Sequence, residues 1–250
     1  MTSLKRILQC WVALMCLLVS AKSATPLDGV PFQTGEKLTY RISWSNIVDA
    51  GTAELAVTPS PKVVGALKLE LKAKAAPGVA GTYLFSDDFV SHFDAAFGAP
   101  SLFEKNFTEK KRVVKERLEL NQLHRFATFT NSKNQSKRIP IELGTQDPVS
   151  ALYVLRTLGL RSGVQVALPV LDGGRLYYLD ARVTGSELIT TKLGSFGTSR
   201  VEISIRRDAV LLSDKKITVW FTTDARRIPV LASVALPIGA AVIELTAQTP

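Results

Sequence analysis

Cysteine is nearly absent from this sequence, and where it stands matters more than how much there is. Cys10 and Cys16 both lie in the first two dozen residues, so a chain cut after that stretch has no thiol for a disulfide, a soft metal or nucleophilic attack. The fold must then hold by core packing alone. Histidine is equally scarce: His92 and His124 fall on separate predicted strands with no second histidine at ligand spacing, so no metal site is assigned. Neither a Gly-x-Ser-x-Gly turn nor a phosphate-cradling glycine loop occurs, so no catalytic residue and no cofactor are expected. Ser150 reads as a first-turn helix residue. Aromatic residues make up 8% of the chain and its end, Gln248-Thr249-Pro250, is not aromatic, which argues against the interfacial girdles of a transmembrane barrel. A Pro/Ser-rich linker, a long charge block and an internal repeat are missing too, which leaves residues 22–250 as one β-rich domain.

What the first residues do contain is the ordered pattern of a secretory signal. Lys5 and Arg6 supply a basic start, Ile7 to Val19 is apolar apart from Gln9, and Val19-Ser20-Ala21 places small or branched residues before the expected cut. The apolar run stops short of the roughly 20 residues that a membrane span needs. Residues 1–21 are therefore read as a cleaved signal peptide. A cut after Ala24 ranks second, because it sets Lys22 where the peptidase prefers a small side chain. Lipidation is not expected, since Met15 precedes Cys16 and Gln9 precedes Cys10. The chain carries a net +9, and loss of Lys5 and Arg6 leaves about +7. For an exported protein such a surface favours lipid headgroups or acidic polymers over nucleic acid, with solubility alone as the plainer account.

Alternation of apolar and polar residues dominates the rest. Leu38, Tyr40, Ile42 and Trp44 alternate with Lys37, Thr39, Arg41 and Ser43, and Leu67, Leu69, Leu71 and Ala73 alternate with Lys68, Glu70, Lys72 and Lys74. These are half-buried strands. The pattern recurs at 201–206 and 217–221, and more weakly at 52–58, 88–94, 113–120, 122–130, 139–143, 164–171, 175–184 and 230–236. Asp172-Gly173-Gly174 is read as a hairpin turn, with Asp49-Ala50-Gly51, Pro77-Gly78 and Gly98-Ala99-Pro100 as further turns. One helix is expected, capped by Asp147, started by Pro148 and running from Val149 to Leu160 toward Gly163. It is apolar nearly all round and should be buried. The fold class is all-β with one buried helix, as a strongly curved antiparallel sheet forming a half-barrel or barrel, with a sandwich as the alternative.

Three stretches carry a resemblance that spans nearly all of the exported chain. They are Phe32-x-x-Gly35-Glu36-Lys37-Leu38-Thr39-Tyr40 with Trp44 and Gly51, Asp147-Pro148-Val149-Ser150-Ala151-Leu152-Tyr153 with Arg156, and Trp220-x-Thr222-x-Asp224-x-Arg226-Arg227-x-Pro229-Val230. In order and spacing the chain resembles the bacterial exported proteins grouped as domain-of-unknown-function family 3108. The resemblance implies an envelope location and a β-rich fold, and supplies no catalytic residues. A looser likeness of architecture is to periplasmic lipoprotein carriers, in which a curved sheet holds acyl chains against a helical lid.

Arg156 draws attention because it falls between Val149, Tyr153 and Leu160 on a helix that is otherwise apolar. A buried guanidinium needs a partner. Asp224 is the first candidate and Glu36 the second, and a structural ion pair is set against a headgroup-binding arginine. Trp220 lies on the opposite strand face from Ile217, Val219 and Phe221, where it either lines a ligand site or meets the helix or a second sheet layer. Asp224-Ala225-Arg226-Arg227 reads as a turn whose aspartate bonds backbone or arginine. Arg156, Trp220, Asp224, Arg227 and Tyr153 are accordingly the candidate ligand-binding residues. Two other groupings are weighed: His92 with Asp94, Asp87 and Asp88 as an acid/base cluster, and Lys110, Lys111, Arg112, Lys115 and Arg117 as a basic strand face that meets anionic lipid or solvent. The functional expectation is a noncatalytic periplasmic protein that holds a hydrophobic or amphiphilic envelope molecule, with peripheral membrane contact. Its rivals are an enzyme acting on envelope glycan or lipid, and a structural interaction domain. The exported form should begin at Lys22, or failing that at Thr25, by mass measurement; intact Met1 in the exported pool would restore the anchor reading.

Overall fold

The computed structural model describes residues 30–77, 86–109, 112–207, 210–211, 217–235 and 239–249, and the expected signal peptide lies outside them. Among the described residues no helix is long and apolar enough to cross a membrane. The first strands are β1 Lys37–Trp44, β2 Val48–Pro59, β3 Leu67–Ala75, β4 Ser86–Asp94, β5 Ala99–Glu109, β6 Arg112–Asn121, β7 Phe126–Thr130 and β8 Ser136–Pro140. The helix α1, Pro148–Thr157, follows. Then come β9 Gln165–Asp172, β10 Arg175–Thr191, β11 Gly194–Arg207, β12 Val210–Leu211, β13 Ile217–Thr222, β14 Pro229–Ala235 and β15 Ala240–Thr249.

All belong to one antiparallel sheet in the order β8-β7-β6-β5-β4-β3-β2-β1-β15-β14-β13-β11-β10-β9, with β12 on the side of β11. The meander returns through β15 to β1, which places the first and last strands side by side in the middle of the sheet. The ladder is curved but not closed, because β8 and β9 do not pair. Side chains and one loop bridge that seam instead. Gln146 donates its backbone N–H to Pro169 and accepts from Leu171, which covers the free edge of β9. Lys105 reaches Asp172 at 2.7 Å, and Tyr178 donates to Glu142.

The hairpin between β9 and β10 forms at the expected glycines, where Gly173 (φ 53°) and Gly174 (φ 70°) take the left-handed conformation that a two-residue turn requires. Elsewhere the chain departs from the simple pattern. The stretch Asp49-Ala50-Gly51 lies inside β2, and the turn is made earlier by Ser45 (φ 48°) and Asn46 (φ 59°). Gly51 marks a bulge, since the register slips between Ile42 and Ser43. Residues 122–125 form a turn and not the start of a strand, because the Gln122 amide donates to the carbonyls of Pro100 and Thr145. Strand β8 ends at Pro140, short of the expected 143. Strands β5 and β15 were not expected at all. In β5 the charged Lys105 occupies an inward position between Phe103 and Phe107, and β15 opens on Ala240-Ala241-Val242-Ile243, so neither sequence alternates cleanly.

The helix starts where Asp147 and Pro148 place it, and the cap is reciprocal. Asp147 accepts from the N–H groups of Val149 and Ser150 at 2.9 Å, while its own N–H donates to the Ser150 hydroxyl at 2.9 Å. The Ser91 hydroxyl of β4 donates to the same carboxylate at 2.5 Å, which fastens the helix start to the sheet. The helix ends at Thr157, a turn before the expected Leu160, because Leu158 is extended (ψ 149°). Two core clusters flank it. Tyr153 packs with Phe32, Phe93, Leu38 and Leu245 on one side, and Leu155 with Val183, Val201, Val219 and Phe221 on the other.

Asp147 is buried, and loss of water raises its pKa from 3.8 to about 6 despite the hydrogen bonds from Ser91, Ser150 and Val149. The folded state then keeps a proton that the unfolded chain has already released, so stability falls as pH rises from about 4 to about 6 and is level above that. The full effect is about 3 kcal/mol for a shift of this size. Urea titrations of the protein and of Asp147→Asn across this range should differ by an amount that changes through the window. A constant difference would mean that Asp147 titrates normally.

Candidate functional site

Of the predicted site residues, Tyr153, Arg156 and Arg227 meet at the lower end of the sheet, where α1 lies across it. Arg156 is 1% exposed and its guanidinium is fully engaged: it donates to both oxygens of Glu36 at 2.6 and 2.7 Å, and to the carbonyls of Arg226 and Pro31. Asp224, the first-ranked partner, is therefore corrected to Glu36. Asp224 instead closes its own turn, accepting from the Thr222 hydroxyl at 2.6 Å and from the Arg226 side chain at 2.8 Å. Partial burial alone would raise its pKa, yet these hydrogen bonds hold it below the usual carboxylate value. Arg227 donates to the carbonyl of Arg156 at 3.0 Å and so caps the helix end. Tyr153 stacks edge-on against Phe32 at 4.8 Å, and burial pushes its phenol pKa well up.

These contacts form a clasp between three chain segments. The segment before β1 contributes Pro31, Phe32 and Glu36, the helix contributes Tyr153 and Arg156, and the β13–β14 turn contributes Arg226 and Arg227. Trp220 is not part of it. The far end of the β10–β11 hairpin folds over the outer face of the sheet, where β10 touches β14 and β15 without pairing to them. Glu187 accepts from the Trp220 indole at 2.5 Å, Lys192 donates its N–H to Glu244, and Ile189 and Phe196 press onto the core. The second sheet layer expected behind Trp220 is this arm.

Nor do the histidines assemble an acid/base centre. His92 is 1% exposed beneath the β2–β3 turn, with Ser60 at 2.7 Å from its Nδ1 and Glu104 at 3.6 Å from its Nε2. Burial lowers its pKa, opposed by Glu104. The Ser60 hydroxyl oxygen also accepts from the N–H groups of Lys62 and Val63, so the group folds the turn down onto the strand. Asp94 is used by its own turn, accepting from Ala96 and Phe97, and His124 is exposed and bonded to Asn121. Among the described residues no group of three or more His, Cys, Asp or Glu side chains could hold a metal.

The feature that sequence reasoning anticipated only in outline is a half-exposed apolar wall on the inner face of the sheet, away from the helix. Because the meander is antiparallel throughout, each strand runs between the helix end and the opposite rim, and burial along its inner face can be followed residue by residue. On β1 it passes from Leu38 (0% exposed) and Tyr40 (4%) to half-buried Ile42 and to Trp44 (38%). The same step separates buried Leu55, Leu69, Val219 and Leu245 from half-buried Ala53, Leu71, Ile217 and Ile243, each two residues nearer the rim. Leu179 and Ala232 continue this half-exposed apolar wall. Outside it, a surface trough of about 490 Å³ runs between the β4–β5 and β6–β7 turns, lined by Phe97, Pro100, Leu120, Leu123 and Phe126.

A single curved antiparallel sheet with one helix laid across one end defines a β-barrel-like domain. The chain belongs to the family described as protein of unknown function DUF3108, whose model matches residues 39–246. Among solved structures, a β-barrel-like protein of domain of unknown function DUF1849 from Brucella abortus is similar, with a TM-score of 0.60 and 11% identity over 85% of this chain and 96% of that one. A DUF1089 family protein from Pseudomonas aeruginosa matches 71% of this chain and 87% of its own length at 12% identity, with a TM-score of 0.38. No curated protein matches the chain. The first of these likenesses is one of fold.

Removing one partner of the clasp leaves a buried charge alone, which costs about 3–5 kcal/mol. Glu36→Gln and Arg156→Met should each lose about that much in denaturant titration, and the double variant should recover a large part of it. Asp224→Asn should change stability far less. Equal losses from Asp224→Asn and Glu36→Gln would give the aspartate the role assigned here to Glu36.

Proposed function

We propose that this protein holds the apolar part of an amphiphilic envelope molecule in the upper half of its curved sheet, with the polar headgroup at the rim. The observation that carries this reading is the burial gradient. A ten-residue helix is about 15 Å long and covers the sheet only near its clasp, whereas the twelve-residue β2 spans about 40 Å. The apolar residues Leu71, Ala53, Ile42, Ile243, Ala232 and Ile217 lie side by side on the inner face of six neighbouring strands, β3 through β1 and β15 to β13, with part of their surface still wet. Leaving apolar area in contact with water costs about 25 cal/mol per Å², a cost that an acyl chain would relieve. Concave, mostly apolar surfaces with polar groups at the edge are the usual form of small-molecule sites. The basic rim favours an anionic headgroup.

Arg156, Tyr153 and Arg227 support this function at one remove. They fix the helix that forms the floor, while Trp220 and Asp224 hold the wall behind it. A fluorescent fatty-acid analogue should bind the purified protein saturably at one site. Ala232→Phe, which fills the upper interior without adding charge, should weaken binding at least tenfold, while Leu123→Asp in the outer trough should leave it unchanged. Absence of saturable binding, or loss through Leu123→Asp with no effect of Ala232→Phe, would remove this reading.

A further inference from the structure

We infer that the rim opposite the helix docks on the surface of an anionic bilayer. Among the described residues the two ends of the sheet differ in charge. At the rim, the exposed side chains of Lys74, Arg112, Lys115, Lys133, Arg175 and Arg207 stand at strand ends and turns. None of the six pairs with a described carboxylate. Against them stands exposed Asp49, with Asp87, Asp88 and Asp172 only half-buried. At the helix end the exposed charges alternate in sign, with Lys62, Arg125, Lys192 and Arg226 beside Asp94, Glu119, Glu142 and Asp224. A field of one sign at one end attracts a surface of the other sign, and each lysine or arginine near an anionic membrane strengthens attachment several-fold.

The same rim also carries apolar anchors. Ile47 is 84% exposed at the tip of the β1–β2 turn, beside Val48 at 46% and Trp44 at 38%, and Val113 at the start of β6 is 64% exposed. The turn is held rigidly rather than left loose: Ser45 donates its N–H to Ala240 at 2.7 Å and Ile47 donates to Trp44 at 2.9 Å. An indole with two aliphatic side chains on a fixed turn, at a rim whose exposed cations have no described carboxylate partner, suits the headgroup layer, where tryptophan is favoured and basic residues meet lipid phosphate. A protein partner with an acidic apolar surface would use the same chemistry, and the test below separates the two.

Docking needs the rim alone and is independent of what the interior holds. The full exported chain should co-float with vesicles of equal parts phosphatidylglycerol and phosphatidylcholine and not with phosphatidylcholine alone, and 0.5 M salt should release most of it. Ile47→Asp and the pair Lys74→Glu with Lys115→Glu should each lower vesicle binding about tenfold, while Leu123→Asp at the other end should not. Thermal unfolding of each variant checks that the fold is retained. Fatty-acid analogue binding by the Ile47→Asp protein should persist, so failure of docking and failure of ligand holding are read separately. Equal binding to both vesicle types, no binding to either, or equal loss from Leu123→Asp would overturn the proposal.

Discussion

The buried pair of Glu36 and Arg156 decides where the helix lies, and the position of the helix decides what the rest of the sheet can do. A guanidinium with 1% exposure is tolerable only because every direction it points in offers oxygen: two from Glu36, one from Arg226 and one from Pro31. Replacing such a pair by apolar residues often costs little, so its value is better sought in specificity than in net stability. Here it ties three segments that are distant in sequence to one point. The helix start is fixed independently, by Ser91 on Asp147. Held at both ends, α1 cannot slide toward the rim to cover the remaining apolar wall.

The need for such a pair was legible in the sequence, because a charge inside an apolar helix has few outcomes. Its partner was not. Asp224 ranks first because its strand also carries Trp220, whose outward ring calls for a ligand, or for a neighbour from the helix or a second sheet layer. That neighbour is the β10–β11 hairpin, which is longer than its alternation suggests and folds back over the sheet. Nothing local in Leu188 to Phe196 announces a long-range contact of this kind. Sequence reasoning found strands wherever one face is buried and the other wet, as in β1 and β3. It failed at β5, where Lys105 points inward between two rings and is satisfied by Asp172. An inward lysine breaks alternation, and its partner lies on the far side of the seam.

His92 illustrates the converse. A histidine on a strand with acids nearby suggests proton transfer, and the structure does set a carboxylate near it. That carboxylate is Glu104 from the next strand, which no spacing rule connects to His92, and the ring is sealed beneath the turn that begins at Ser60. Burial lowers its affinity for a proton, and the serine oxygen beside it already accepts two backbone N–H groups. The same residue types that catalyse in an open cleft here hold a loop against a sheet.

The uneven filling of the sheet follows from lengths alone. Strands of eight to twelve residues rise about 26–40 Å, and a single helix of ten residues laid across one end fills only the volume within a side chain's reach of its axis. A second helix or bulkier residues would cover more of the sheet, yet on β2, β13, β14 and β15 the half-exposed inward positions above the buried core are small or aliphatic: Ala53, Ile217, Ala232 and Ile243. Packing toward native density would favour larger side chains there. Their absence there, together with a helix fastened at both ends so that it cannot move to compensate, leaves this part of the apolar wall half-exposed.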